Sequence, residues 1–163
     1  MEQQTHALRD LQDRAAIIDV VTRFAVSLDS RDWAGLRACL AEEVELDYPD
    51  SVGVATVTGD DLVATAQRFF GRLDATQHVS ANHQVALDGD RASCTSTLLA
   101  QHFLAGCDGG ETQRQVGYYV NDLVRGEDGG WRIVRSAQQV SWSDGNPAVF
   151  AHAAAAFAPT QAS

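Results

Sequence analysis

The sequence contains no lysine, so all 12 of its basic residues are arginine. This absence excludes a Schiff-base lysine, a P-loop lysine and a lysine general base. The 22 acidic residues bring the net charge to −10, and no arginine cluster offers a footprint for the phosphates of nucleic acid or of anionic lipids. We therefore expect neither nucleic acid nor a membrane as a partner.

Cysteine and long hydrophobic runs are also scarce. The three cysteines are Cys39, Cys94 and Cys107; their odd number and wide spacing favour reduced thiols over a disulfide framework or a zinc site. No apolar run approaches the roughly 18 residues of a membrane span, and the polar start MEQQTHALRD predicts no signal peptide. The sequence thus predicts a cytoplasmic protein, and its lysine-free composition is typical of GC-rich, bacterial coding.

The length suits one domain over residues 1–163. The first element is predicted as an amphipathic helix from about Thr5 to Asp29. Its predicted inward stripe consists of Leu8, Leu11, Ala15, Ile18, Thr22, Ala25 and Asp29. A short second helix is predicted from Trp33 with Asp32 as its N-cap, and a third from Gly59 to Leu73.

The rest of the sequence is predicted to form mostly strands. The predicted strands are Val44–Tyr48, Gln77–Leu87, Arg91–Leu104, Gln113–Arg125 and Trp131–Trp142. Helices followed by long hairpins favour an α+β fold in which a curved antiparallel sheet wraps around the helices and leaves a pocket. The alanine-rich stretch 147–158 has helical spacing, and we interpret residues 147–163 as a tail or a lid.

One acid and one histidine stand out as candidate catalytic residues. Strand alternation puts His78 and Ser80 on one face and His83 on the other. Asp29 ends a mostly apolar helical stripe, and a buried carboxylate needs a partner that a buried histidine can supply. Such a pair would make His78 a general base. The spacing also permits a solvated Asp29 at a helix end and an ordinary strand histidine.

Three further polar residues are weaker candidates. His102 could donate a hydrogen bond to a substrate oxygen, or be a half-exposed strand histidine. Tyr48 could be a phenolic donor, although the sequence favours an ordinary boundary tyrosine. Asn121 could line a pocket or mark a bulge. Asp29, His78 and His102 could also form a metal set of two histidines and one carboxylate, although no H-x-x-x-H or C-x-x-C motif is present.

Several segments resemble a known superfamily. These are Arg14–Asp19, Asp29–Tyr48 with Leu-Asp-Ser-Arg-Asp-Trp, Ala75–His78, and the hairpin Asn121–Val134 with Asp-Gly-Gly-Trp. The chain is similar in these patches to the SnoaL-like branch of the nuclear transport factor 2-like superfamily, especially to scytalone dehydratase and hexachlorocyclohexane dehydrochlorinase. The resemblance implies a cone-shaped α+β barrel with an apolar pocket, no cofactor, no metal and a homo-oligomer, either a trimer or a dimer.

The resemblance also implies roles for individual residues. Asp29 and His78 match the catalytic dyad, while His102, Tyr48 and Asn121 match pocket residues of scytalone dehydratase. The sequence departs from that enzyme in a second set of candidate substrate-binding residues. These are Leu28, where that enzyme has a tyrosine, and Tyr119, where it has a serine.

The predicted function is a dehydratase-like elimination on a small, mostly apolar molecule of polyketide or terpenoid type. His78 would take a proton from carbon, so kcat/KM should rise as its imidazole loses its own proton. Two alternatives stay open on the same scaffold, because fold does not decide function. One is an isomerase or cyclase of a biosynthetic pathway, and the other is a non-catalytic subunit like the β subunit of ring-hydroxylating dioxygenases.

Overall fold

A computed structural model describes residues 2–49 and 53–155, with side chains from residue 4 onward. The elements in this part of the chain are α1 (Glu2–Ser30), α2 (Trp33–Ala38), β1 (Leu40–Tyr48), β2 (Gly53–Thr58), α3 (Gly59–Phe70), β3 (Ala75–Asp88), β4 (Arg91–Phe103), β5 (Thr112–Arg125), β6 (Trp131–Gly145) and α4 (Ala148–Ala154). The helix and strand order confirms the predicted α+β class. None of the helices described is long and apolar enough to cross a membrane.

The six strands form one curved, open sheet in the order β2-β1-β6-β5-β4-β3. β3 to β6 are consecutive antiparallel neighbours, as the hairpin pattern predicts. The sheet is not wholly antiparallel as predicted, because β1 pairs with β6 in parallel. β2, which the sequence analysis missed, pairs antiparallel with β1 at the edge. Its run from Gly53 to Thr58 is too short for a clear alternation signal.

The predicted inward stripe of α1 is wrong over most of its length. Leu8 and Leu11 are 57% and 65% exposed, because the start of this long helix lacks a sheet surface to cover. The buried stripe instead includes Ile17, Val20 and Val21. Of the predicted stripe Ala25 is buried. The buried stripe begins at the polar residue Asp13, which hides it from a hydrophobicity pattern.

The main core lies between α1 and the hairpin ends of the sheet. There Ile17, Val20 and Val21 pack with residues of β1, β4, β5 and β6, including the fully buried Trp131 and Ile133. Burial of such side chains contributes roughly 1.5–3 kcal/mol each.

The polar edge of this core is closed by an ion pair. Asp13 accepts hydrogen bonds of 2.9 and 2.7 Å from the Arg125 guanidinium and one of 3.3 Å from Trp131 Nε1. The same guanidinium stacks 4.5 Å above the Trp131 ring. These contacts fix the rotation of α1 about its axis and therefore the direction in which its last turn points.

A β-bulge in β3 corrects a second prediction. The register with β4 shifts between Ala81 and Gln84, and Asn82 takes a positive φ of 54°, which asparagine tolerates better than most residues. One extra residue reverses the alternation beyond the bulge. His83 therefore lies on the same half-buried face as His78, not on the opposite one, and its Nε2 is 3.0 Å from Ser80 Oγ.

The predicted N-cap of α2 is confirmed, because Asp32 accepts from Gly35 N. The N-cap of α3 is Thr58, which the sequence analysis did not identify and which accepts from Asp61 N. α3 ends at Phe70, three residues before the predicted Leu73. The last predicted helix is seen as α4, and the stretch 156–163 of the predicted tail lies outside the described residues.

Candidate active site

The site forms where the last turn of α1 meets the beginning of β3. α1 ends after Ser30 because Arg31 adopts a left-handed φ of 59°. Its guanidinium Nη1 turns back to donate to the Leu28 carbonyl at 2.5 Å and to Thr76 Oγ1 at 2.8 Å. This end of the helix therefore directs the Asp29 side chain at β3.

Asp29 and His78 form the predicted pair. His78 Nδ1 lies 2.7 Å from Asp29 Oδ1, and the backbone N–H of His78 donates to Asp29 Oδ2 at 2.7 Å. Thr76 donates its hydroxyl to Asp29 Oδ1 at 3.0 Å. The side chain of His78 is 5% exposed and that of Asp29 is 23% exposed, so the pair is largely shielded from water.

The charge state of Asp29 defines the tautomer of His78. Burial alone would raise the pKa of the Asp29 carboxyl, but the hydrogen bonds from the His78 side chain and backbone and from Thr76 outweigh it and hold that pKa below its usual value. An ionised carboxylate can only accept hydrogen bonds. His78 Nδ1 therefore carries the hydrogen, and Nε2 presents a free lone pair.

His102 lies next to this pair but differs from it electrostatically. Its ring centroid is 5.5 Å from that of His78, and the residue is 3% exposed. Burial, with a contribution from the charge that His78 would hold, lowers the pKa of His102 to about 3. His102 is therefore neutral near pH 7 and acts as a hydrogen-bonding group, not as a charged acid.

Aromatic rings close the site around the two histidines. Phe70 of α3 lies 5.6 Å from His78 and 6.1 Å from His102, measured between ring centroids. Phe150 of α4 packs edge-on against His102 at 4.6 Å. Phe70 of α3 thus covers both histidines, and Phe150 of α4 covers His102.

Tyr48 and Tyr119 lie deeper on the inner face of the sheet. Their ring centroids are 6.2 Å apart. The Tyr48 hydroxyl pairs with Ser136 Oγ at 2.8 Å, and the Tyr119 hydroxyl accepts from Gln138 Nε2 at 3.3 Å. Burial raises the pKa of Tyr48 to about 12 and that of Tyr119 still further. Both phenols therefore keep their protons.

Asn121 and Leu28 occupy different surroundings. Asn121 is 3% exposed on the inner face, one residue before a register shift between β5 and β6. The Leu28 side chain packs with Leu36 and Ala66 between the helices. The structure thus brings six of the seven predicted residues to the dyad or the adjoining sheet interior and places the Leu28 side chain among the helices.

Four polar side-chain atoms are buried without a hydrogen-bond partner among the described residues. They are Ser96 Oγ, His102 Nδ1, Gln113 Oε1 and Asn121 Oδ1. Such atoms are rare in folded proteins and typically mark bound water or ligand. Ser96 and Gln113 were missed by the sequence analysis, as were Thr76 and Arg31, although Thr76 shares a strand face with His78.

Two other possibilities for a site receive little support. In residues 4–49 and 53–155, Asp29, His78 and His102 do not belong to any group of three ligands that could hold a metal ion. A groove of about 440 Å³ lies on the outer face of the sheet, lined partly by Glu45, Asp122 and Arg135. Its charged side chains already pair with one another, and it is remote from the dyad.

The low pKa of His102 predicts how stability depends on pH. The unfolded chain binds a proton at the ordinary histidine pKa of about 6.5, whereas folded His102 resists it until about pH 3. The contribution of neutral His102 to the free energy of unfolding is therefore fully present above about pH 6.5 and is lost as the pH falls toward about 3. Urea unfolding across this window should show a shallower loss for His102→Gln than for the wild type. Equal slopes would contradict a neutral buried His102.

Comparisons with known proteins agree with this architecture. The family model of the SnoaL-like domain matches residues 9–137. A curated relative, terrestric acid biosynthesis cluster protein E of Penicillium crustosum, is 27% identical over 146 residues, covering 86% of this chain and 90% of that protein. The solved Kfla4162 protein of Kribbella flavida is 31% identical, covers 83% of this chain and 95% of its own, and superposes with a TM-score of 0.78.

Two solved structures carry the names suggested by the sequence motifs. A protein of Novosphingobium aromaticivorans named as a candidate scytalone dehydratase is 21% identical, with a TM-score of 0.73 and coverage of 83% of this chain and 88% of that one. A hexachlorocyclohexane dehydrochlorinase of type 2 is 18% identical, with a TM-score of 0.75 and coverage of 96% and 99%. At these identities the likeness concerns the fold. Because the family model spans most of the sequence, the chain belongs to the SnoaL-like domain family.

Proposed function

We propose that this protein is a biosynthetic, lyase-like enzyme whose Asp29–His78 pair removes a proton from a substrate carbon. The observation that carries the proposal is the 2.7 Å contact between Asp29 Oδ1 and His78 Nδ1. It leaves His78 Nε2 as an oriented base in a largely dehydrated site, and such general-base catalysis contributes about 10²–10⁴ in rate.

The proposed reaction is an elimination that needs only proton transfer. His78 Nε2 takes a proton from a carbon next to an electron-withdrawing group. The electrons of the broken C–H bond form a C=C bond, the neighbouring C–O bond breaks, and the departing oxygen takes the proton back from His78. The neutral His102 and the phenols of Tyr48 and Tyr119 would hydrogen-bond to oxygens that gain negative charge.

The names of the relatives support this chemical class. One solved neighbour is named as a candidate dehydratase and another as a dehydrochlorinase, and both names describe eliminations. The curated relative is named for a biosynthesis cluster, which favours a small-molecule substrate and keeps an isomerase or cyclase as the second candidate. Product mass separates the two, because only elimination loses water or acid.

The division of the hydrophobic core supports an internal binding cavity. Leu98, Ala100 and Tyr119 form an apolar cluster with Tyr48 on the inner face of the sheet. All four residues come from strands, whereas the clusters around Ile17 and around Leu28 include helix residues. We propose that a small, mostly apolar substrate binds between this cluster and the helices.

The dyad can be tested before the natural substrate is known. β-Tetralone in D₂O is a suitable probe because its C–H bonds next to the ketone are acidic, and proton NMR reads deuterium uptake. The wild type should accelerate uptake over buffer. His78→Ala should lower the enzymatic rate at least about a hundredfold, whereas His6→Ala, a control at an exposed position of α1, should not. Near-normal exchange by folded His78→Ala would refute the base assignment.

We also propose that α4, which forms the beginning of the predicted tail, acts as a lid. Val149 and Ala153 anchor it against Leu73, and Phe150 covers His102. Phe150→Ala should weaken the Kd of β-tetralone about tenfold, because the apolar cover of the site is lost. His152→Ala on the exposed side of α4 is the control. An unchanged Kd for folded Phe150→Ala would remove the lid assignment.

A homo-oligomer is the third part of the proposal, and the outer face of the sheet is its interface. Val79, Leu99, Val116 and Trp142 face one another across four adjacent strands, β3 to β6. Val79, Leu99 and Trp142 are 44%, 36% and 49% exposed. A four-strand face about 40 Å long presents roughly 800 Å², the area that one partner contributes to a standard interface. A second copy is favoured because an apolar patch of this kind is complementary to the same patch on another copy of the chain.

Light scattering coupled to size-exclusion chromatography tests this interface. The wild type should elute as a dimer or trimer, and Leu99→Asp should shift it to the monomer because a charge at the centre of an apolar interface is costly. Val54→Asp is the matched control, since Val54 is 72% exposed on the edge strand β2. A monomeric wild type, or a Leu99→Asp variant that remains oligomeric, would contradict the proposal.

A further inference from the structure

Two of the buried polar atoms without partners lie side by side on the inner face of the sheet. Ser96 is 1% exposed and Asn121 is 3% exposed, and neither Ser96 Oγ nor Asn121 Oδ1 has a hydrogen-bond partner in the described part of the chain. An unsatisfied buried polar group costs about 1–3 kcal/mol. Two such groups in one place therefore indicate that something outside the protein chain satisfies them.

The strand register places the two side chains at a suitable separation. Cys94 is directly opposite Asn121 on the neighbouring strand, and Ser96 follows two residues later on the same face. The Cα atoms of diagonal neighbours of this kind lie about 7–8 Å apart. Side-chain oxygens that extend toward one another from two such positions can be bridged by one oxygen atom that bonds both at about 2.8 Å.

The surroundings of the two atoms are polar but uncharged. Burial raises the pKa of the Cys94 thiol to about 11, so it remains protonated. Tyr48 and Ser136, which pair with each other, lie alongside, because Ser136 is opposite Asn121 on β6. None of the ion pairs among the described residues includes a side chain that contacts Ser96 or Asn121. A carboxylate or ammonium group of a ligand would lose its hydration here without a counter-charge.

A neutral hydroxyl matches this arrangement. Asn121 Oδ1 requires a donor, and the Ser96 hydroxyl can donate. A hydroxyl group placed between them donates to Asn121 and accepts from Ser96, so both atoms are satisfied at once. A carbonyl oxygen cannot do this, because it has no hydrogen for Asn121 Oδ1.

We propose that Ser96 and Asn121 form a subsite for a neutral hydroxyl group of the substrate, at the end of the cavity away from His78. This inference rests on the function proposed above. His78 is opposite Ala100, four residues from Ser96 along β4, so the two ends lie about 13 Å apart along the strand. Leu98 and Tyr119 provide apolar surface between them. The substrate class is thus an apolar molecule with an acidic C–H at one end and a hydroxyl at the other.

The test compares two probes that differ in one hydroxyl. β-Tetralone carries the acidic C–H alone, and its phenolic analogue adds a hydroxyl on the aromatic ring at the position farthest from the ketone. Calorimetric Kd values should favour the analogue in the wild type by at least about fivefold, because each of its two hydrogen bonds contributes roughly 0.5–1.5 kcal/mol. Ser96→Ala should lower this preference, because only the hydrogen bond to Asn121 remains. Ser93→Ala, a serine of the same strand that faces outward opposite Asp122, should retain it.

The outcomes separate this inference from the proposed function. Equal affinity of both probes for the wild type would overturn the subsite, because two trapped waters would then explain the unpartnered atoms, while deuterium exchange would still report on His78. Preference for the phenolic analogue without any enzyme-accelerated exchange would support the subsite and count against the base.

A second measurement needs no ligand. If the Ser96 hydroxyl has no partner inside the protein, Ser96→Ala should leave the urea midpoint unchanged or raise it, since an unsatisfied buried group is removed. A clear fall in the midpoint, as for a lost hydrogen bond, would show that Ser96 Oγ is already bonded within the fold and would overturn the inference.

Discussion

The carboxylate of Asp29 is the constraint on which the rest of the site depends. It lies in the last turn of α1, where the helix dipole disfavours negative charge and where no basic side chain of the helix offsets it. The charged form of this carboxyl group is therefore stabilised by groups outside the helix. Three donors of Thr76 and His78 bond to it, and Arg31 holds Thr76 in turn. Because these donors belong to one end of β3, satisfying a single buried charge ties the longest helix to the edge of the sheet and orients the imidazole in the same step.

This attachment divides the side chains on the inner face of the sheet into layers. The Asp13–Arg125 pair and the Trp131 core hold the hairpin end of the sheet, and the dyad holds α1 to β3 nearer the opposite end. Between these two fixed points the inner face carries neutral polar side chains and then apolar ones. Low polarity strengthens every remaining electrostatic interaction. It also explains why His102 stays neutral, since burial disfavours its imidazolium form.

The parts of the fold that could be predicted from the sequence are those in which local pattern and tertiary packing agree. The long hairpins alternate regularly, and Asp32 caps α2 through contacts within a few residues, so both were predictable. The stripe of α1 was not, because its burial depends on where the sheet ends and on an ion pair with Arg125, 112 residues away. The face of His83 depends on the bulge at Asn82, which alternation cannot reveal. Asp29 and His78 were found by residue type, while Ser96 and Gln113 were missed because a serine or glutamine in a strand has no chemical signature until its partners are known to be absent.

The distribution of charge within the site bears on the choice between elimination and isomerisation. The phenols of Tyr48 and Tyr119 hold their protons tightly, and His102 is neutral. Each of the three can donate a hydrogen bond, but none is a strong acid. In the proposed reaction the protonated His78 is consequently the acid as well as the initial base. Elimination and isomerisation then share their first step and diverge at the second, when His78 returns the proton either to a departing oxygen or to another carbon. The position of the substrate relative to one imidazole decides between them. A hydroxyl held by Ser96 and Asn121, far from that imidazole, would set this position without taking part in the chemistry.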